Sequence, residues 1–196
     1  MTTRIYKIVA LAIIMLTLLL SQKTQVVEAI NNGGSGYCWA SGAAWPSNST
    51  TYKIDSTIPS SWNTNITNSA ATWNNVGSSS FTLNNNSSSV NIISKGTLVD
   101  TTQIALTSVF ASPTTINKVL TVFDQTDSFT AALPPPPSTY WVTEIMTHEF
   151  GHWLYLQDIK NTSCSAVTMY WQSGYGDTLK SSLVSYDING IAWQYP

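Results

Sequence analysis

The chain predicts an α+β domain of about five strands and three helices, on three observations. Short runs rich in Val, Ile, Thr and Phe recur between residues 52 and 123, bounded by Asn, Ser, Gly and Pro clusters. Apolar residues at helical spacing occur over 63–76, 139–156 and 182–193. A length of 196 residues bounds the whole to one domain with an appendage.

The appendage is N-terminal. Arg4 and Lys7 precede an apolar run over 8–20, and Val27, Glu28 and Ala29 suit a signal peptidase. Residues 1–29 are therefore expected to be a signal peptide, because the run is shorter than the ~20 apolar residues of a spanning helix. No later run of that length follows, so a secreted, extracellular product is expected, free of the membrane once cleaved. Residues 30–50, with NNGGSG at 31–36, read as a flexible N-terminal segment, and 51–196 as the folded domain. Beyond Ala29, five Lys against nine acidic residues leave a charge of −4, and the only Arg departs with the signal. That balance excludes electrostatic binding of nucleic acid, which needs a basic surface. Cys38 and Cys164 make an even pair in an exported chain, so a disulfide is expected. Closing so long a loop contributes about 4–5 kcal/mol at most in the chain-entropy model.

The elements follow in order. Residues 52–54 alternate like a short strand that Pro59 ends. Ile66, Ala70, Trp73 and Val76 place a helix over 63–76, with Trp73 expected against the sheet. Strands are expected at 81–83, 90–94, 103–110 and 116–123. The four prolines at 134–137 donate no amide hydrogen bonds and favour an extended polyproline rod, a stiff surface spacer. Ser138 or Thr139 is expected to cap a helix that runs to about Leu156. Trp141, Val142, Ile145, Met146, Phe150, Trp153 and Leu154 cover most of its circumference, so it should be buried nearly all round. Glu144 falls on its more polar side and reads as solvated. The last helix, over 182–193, should turn Ile188, Ile191, Ala192 and Tyr195 inward.

The chemistry lies in HEFGHWLYLQD, residues 148–158, which holds both histidines of the chain. On a helix, His148 and His152 project from one face about 6 Å apart along the axis, which suits two imidazoles on one zinc. Glu149 then stands beside the metal as a general base. In a chain with two His and three Glu, chance yields this arrangement on the order of once in several thousand shuffles. A catalytic zinc takes three protein ligands and leaves one position for water. No third histidine and no later glutamate exist, so Asp158, Cys164, Asp177, Asp187 or a tyrosine must complete the set. Asp158 comes within reach if the helix stops near Leu156 and the backbone folds back. Cys38 has a second candidate role, as an inhibitory thiolate on the zinc. Asp124, Asp127 and Asp177 carry oxygens suited to calcium, a second candidate ion, but they form no dense acidic loop and read as solvated turn residues. A secreted binding module with a structural zinc, built on the eight Trp and nine Tyr, is the competing class.

The segment 148–158 followed by SAVTMYW, with Met169 and Tyr170, resembles the metzincin zinc peptidases, specifically the matrixin-like group. That family's pattern is H-E-x-x-H-x-x-G-x-x-H/D, then a tight turn with a methionine beneath the zinc. The closing DINGIAWQYP, the opening YKIDSTIPSSW and the stretch ATWNNV are similar to other parts of that domain. The resemblance implies a twisted, mainly parallel sheet and a cleft between upper and lower subdomains. It implies zinc on His148, His152 and Asp158, Glu149 as base, Met169 as support, and a protein or peptide substrate cut by a monomer. It also implies a buried hydrogen bond from Asp187 near the methionine turn, and makes Tyr170 and Tyr175 candidates for contacting the oxyanion. Two departures stand out. Tyr155 takes the place of the family's glycine, and a tyrosine in the left-handed conformation costs about 1–2 kcal/mol; if it misplaces Asp158, the chain is an inactive homologue. Asp158 replaces the commoner histidine, and its charge should weaken the Lewis acid and shift the optimum towards alkaline pH.

Overall fold

A computed structural model describes Cys38 and residues 42–196. The expected signal peptide lies outside the described residues, as does most of 30–41.

Among the described residues the fold is α+β, with a mainly parallel five-stranded sheet and three helices. The strands are β1 (Ser49–Ile54), β2 (Thr82–Asn85), β3 (Ile92–Gly96), β4 (Ala105–Ser112) and β5 (Thr115–Asp124), in the order β2-β1-β3-β5-β4. All neighbours are parallel except β4, which runs antiparallel to β5 and forms one edge. Each strand appears where β-branched and aromatic residues cluster, with ends displaced by up to three residues from the sequence expectation. In β5, Asn117 has no partner between the pairs Phe110↔Lys118 and Ala111↔Ile116. This bulge switches the inward positions from Ile116 to Val119, Thr121 and Phe123. A second, two-stranded ribbon joins β6 (Phe129–Thr130) and β7 (Tyr140–Trp141). Strands of two residues carry no periodic signal, and the sequence showed none.

The helices are α1 (Asn63–Asn74), α2 (Val142–Trp153) and α3 (Ser185–Gln194). None is long and apolar enough to cross a membrane. α1 packs on α2 through small side chains: Ala70 is buried, and the Ser69 hydroxyl donates to the Thr143 carbonyl at 3.0 Å. Trp73 is buried, and its indole N–H donates to the Thr147 carbonyl of α2 at 2.8 Å. α2 is buried all round, as its composition requires. Neither Ser138 nor Thr139 caps it. Trp141 occupies that position without a side-chain bond, and the Thr139 hydroxyl donates instead to Pro136. The prolines at 134–137 lie in a largely exposed loop that closes in a turn, with Thr139 N–H bonded to Pro136 at 3.1 Å. Ile191 of α3 and Tyr195 just beyond its end are buried, while Ile188 and Ala192 are only half-buried.

Cys38 and Cys164 form a disulfide across 126 residues. The segment 42–50, expected to be flexible, is docked. Ala44 bridges to Thr115, Trp45 donates its indole N–H to the Trp153 carbonyl at 2.7 Å, and β1 already begins at Ser49. The two hydrogen bonds of Trp45 and a hydrogen-bonded strand offset the entropy that the neighbouring Gly and Ser residues would otherwise keep.

Candidate metal centre

The histidines lie at the C-terminal end of α2, and that end has a specific termination. Leu156 N–H bonds to the Gly151 carbonyl at 3.0 Å and Tyr155 N–H to the His152 carbonyl at 2.9 Å. These are the two bonds of a Schellman motif, which requires a left-handed residue between them. Tyr155 is that residue, at φ 65°. The tyrosine therefore adopts the conformation expected of glycine, and burial of its ring offsets the strain. It is 5% exposed and packs so closely on Gly42 that a Cβ there would stand 2.6 Å from Tyr155 Cε1. The helix stops at Trp153, three residues earlier than expected, and the reversal carries Asp158 back over the histidines.

Asp158 Oδ1 stands 3.2 Å from His148 Nε2 and 3.5 Å from His152 Nε2. The ligand atoms of all three residues lie within 4.8 Å of one another. Two atoms held ~2.05 Å from a tetrahedral ion are about 3.3 Å apart, so these spacings fit a shared metal. The tautomers strengthen the case. His148 Nδ1 meets the Thr168 carbonyl at 2.7 Å, and His152 Nδ1 meets the Leu156 carbonyl at 2.8 Å. A carbonyl only accepts, so both Nδ1 atoms carry protons, and it is Nε2 of each ring that faces the carboxylate and is left to bind a metal. Three lone pairs converging on one point demand a cation between them. Without a metal that cation is a proton. Burial opposes charge on His152, but Asp158, Glu149 and the Leu156 carbonyl overcome it and push the imidazole up to about 9. Burial likewise opposes charge on Asp158, yet the two imidazoles hold it well below the usual carboxylate range.

The supporting contacts come from the segment after Asp158. Ile159 N–H bonds to the Met169 carbonyl at 2.8 Å, stitching the Asp158 strand to the methionine turn. Met169 Sδ fills the space that a Cβ on Gly151 would need, so the helix and the turn meet at a residue without a side chain. Asp187 is buried, and its two oxygens accept the Thr168 N–H at 3.1 Å each while one also accepts Val184 N–H at 2.9 Å. It thereby anchors Thr168, the residue whose carbonyl orients His148.

Of the other candidate ligands, Cys164 is in the disulfide, as is Cys38, which leaves no thiolate to cap a metal. Asp187 is committed to Thr168, and Asp177 accepts the Gly174 N–H at 2.7 Å. Among the described residues, the group at 148, 152 and 158 is the only cluster of His, Cys, Asp or Glu suited to a metal. Asp124 is buried rather than solvated, its oxygens taken by Leu98 N–H and by the Thr126 N–H and hydroxyl. Tyr175 is exposed and stacks on Tyr140 with ring centroids 4.4 Å apart.

Glu149 is buried beside the cluster, and its Oε2 accepts the Thr107 hydroxyl of β4 at 2.5 Å. Glu144 corrects the sequence reading. It sits one turn before His148 on the same face, is 1% exposed, and neither of its oxygens meets a donor. Burial, with a contribution from Asp177, pushes its carboxyl up to about 7 against the opposing pull of the Lys180 charge. Lys180 is itself buried at 5% exposure, donating to the Tyr170 carbonyl and to Ser173 Oγ; burial brings its ammonium down to about 8. Sequence reasoning missed Thr107 and Lys180. It also missed the Thr168 and Leu156 carbonyls, which every residue type possesses and no motif marks.

No family model matches the chain, and a search of curated proteins finds no significant match.

Proposed function

We propose that this chain is a secreted, monomeric, zinc-dependent endopeptidase with a matrixin-like metzincin catalytic domain and a cleft between upper and lower subdomains. The observation that carries the reading is the convergence of the His148, His152 and Asp158 lone pairs on one point, with Glu149 beside it. These three residues would hold the zinc, which when bound polarises a carbonyl and acidifies a water. Glu149 accepts a proton from the attacking water at Oε1, the oxygen that Thr107 leaves free, and returns it to the leaving amine.

β4 supplies the substrate's track. Asp124 N–H bonds to the Ile104 carbonyl, so by antiparallel alternation Ala105, Thr107 and Val109 direct their backbone groups away from β5. An extended peptide can pair with that edge beside Glu149. Two features weigh against a binding module and an inactive homologue. The Asp158 side chain is 45% exposed, and among the described residues no fourth His, Cys, Asp or Glu joins the group, unlike a closed structural site. Tyr155 takes the left-handed turn, so Asp158 reaches the histidines.

The test is digestion of a diverse peptide mixture by the purified protein loaded with zinc, with and without chelator. Hydrolysis that chelation and Glu149→Ala both abolish is expected. Unchanged hydrolysis in Glu149→Ala would refute the mechanism.

A further inference from the structure

Glu149 is the end of a directed hydrogen-bond chain. Its Oε2 meets Thr107 Oγ1 at 2.5 Å, Thr107 Oγ1 meets Thr121 Oγ1 at 2.6 Å, and Thr121 Oγ1 accepts the Trp153 indole N–H at 2.8 Å. An indole nitrogen only donates. Thr121 must therefore accept from Trp153 and pass its own proton to Thr107, whose proton then goes to Glu149. Each hydroxyl has one proton, so with Glu149 accepting from Thr107 this is the assignment that satisfies all four groups. Its charged end also makes the terminal bond the strongest of the set.

The placement follows from the fold. Thr107 and Thr121 face each other across β4 and β5. By the same alternation they form a non-hydrogen-bonded pair, the kind that brings side chains closest. Glu149 and Trp153 are one turn apart on α2, so the chain leaves the helix at one residue and returns to it at the other. Thr121 and Trp153 are fully buried, and Glu149 and Thr107 complete the path towards the cluster.

Resting on the peptidase reading, we propose that Thr107, backed by Thr121, is a positioning residue for the general base. By holding Oε2, Thr107 fixes the rotation of the carboxylate and reserves Oε1 for the water. A carboxylate free to rotate spends part of its time with neither oxygen at that place, and misplacement of a reacting group by 1 Å costs on the order of a hundredfold in rate.

Thr107→Val removes the hydroxyl with little change in volume, and Thr107→Ser restores it. In zinc-loaded protein, Thr107→Val should lower kcat by about 10- to 100-fold with KM within about twofold, and Thr107→Ser should recover most of the loss. Thr121→Val should cause a smaller fall, since Thr107 keeps its donor but loses its orienting partner. A readout independent of turnover is the isotope-edited infrared carboxylate stretch of Glu149, which Thr107→Val should shift and Thr107→Ser should not. If Thr107→Val lowers only the Tm, leaving kcat and the carboxylate band unchanged, the network merely anchors helix to sheet and the proposal falls. If the wild-type protein cleaves no peptide, the peptidase reading itself fails.

Discussion

Glu144 should cost this protein stability at neutral pH, and the cost should be removable. Its carboxyl is raised from 4.5 to about 7, chiefly by burial. At 1.4 kcal/mol per tenfold change in proton affinity, this corresponds to about 3 kcal/mol. The sign follows from linkage. The unfolded chain gives up the Glu144 proton near 4.5 while the folded chain keeps it to about 7, so the stabilising contribution is whole below 4.5 and is lost as pH rises through 7. Glu144→Gln keeps the shape and does not titrate. Denaturant unfolding of both proteins, stripped of metal and followed from pH 4.5 to 8, should therefore show the variant gaining on the wild type by about 3 kcal/mol across the interval, then levelling off. Taking the difference between the two cancels the titration of His152 and Asp158, which is common to both. A constant offset across that range would refute the reasoning, since it would mean that Lys180 pairs with Glu144 well enough to keep it ionised throughout.

The remaining predictions concern the cluster and its supports. Asp158→Ala should reduce bound zinc sharply, measured by elemental analysis after dialysis; stoichiometric zinc would remove Asp158 from the ligand set. With His152 raised to about 9 in the metal-free protein, zinc binding at pH 7 should release protons and at pH 10 release fewer, which calorimetry in buffers of different ionisation enthalpy will measure. Tyr155→Gly relieves about 1–2 kcal/mol of left-handed strain but gives up about 2–3 kcal/mol of aromatic burial. A lower Tm is expected, and a higher one would show that strain dominates. Replacing both cysteines by serine should cost up to about 5 kcal/mol and weaken zinc binding as well, because Cys164 lies in the segment between Asp158 and Thr168.

The legible part of this molecule was the part encoded by periodicity. The three helices and five strands follow from the spacing of residues such as Ile66, Ala70 and Trp73 and from β-branched runs, with boundaries displaced by capping and bulges. The cluster was legible because a side chain that binds a cation is a rare residue type, and this chain has two histidines. What surrounds it was hidden for the opposite reason. Thr107 is a strand threonine among many, and only the pairing of β4 with β5 places it against Glu149. Glu144 misled because amphipathicity sorts residues by type, whereas the segment around Lys180 folds over the helix and buries that face irrespective of its polarity. Docking of 42–50 rests on Trp45, whose partners lie over a hundred residues away, beyond any local signal.

Those distant partners have a consequence for the order in which the molecule assembles. Trp45 binds Trp153 and Tyr195 across separations of 108 and 150 residues, Gln194 holds the Gly42 and Ala43 carbonyls, and Cys38 reaches Cys164 across 126. Contacts so far apart along the chain form slowly, because loop closure must precede any reward from packing. Contact order therefore predicts that the N-terminal strap settles after the sheet and α2 exist, and a chain lacking its C-terminal helix would lose the anchors at Gln194 and Tyr195. Since the strap holds both the end of α2 and the segment that orients His148, a competent metal site is a late event in folding.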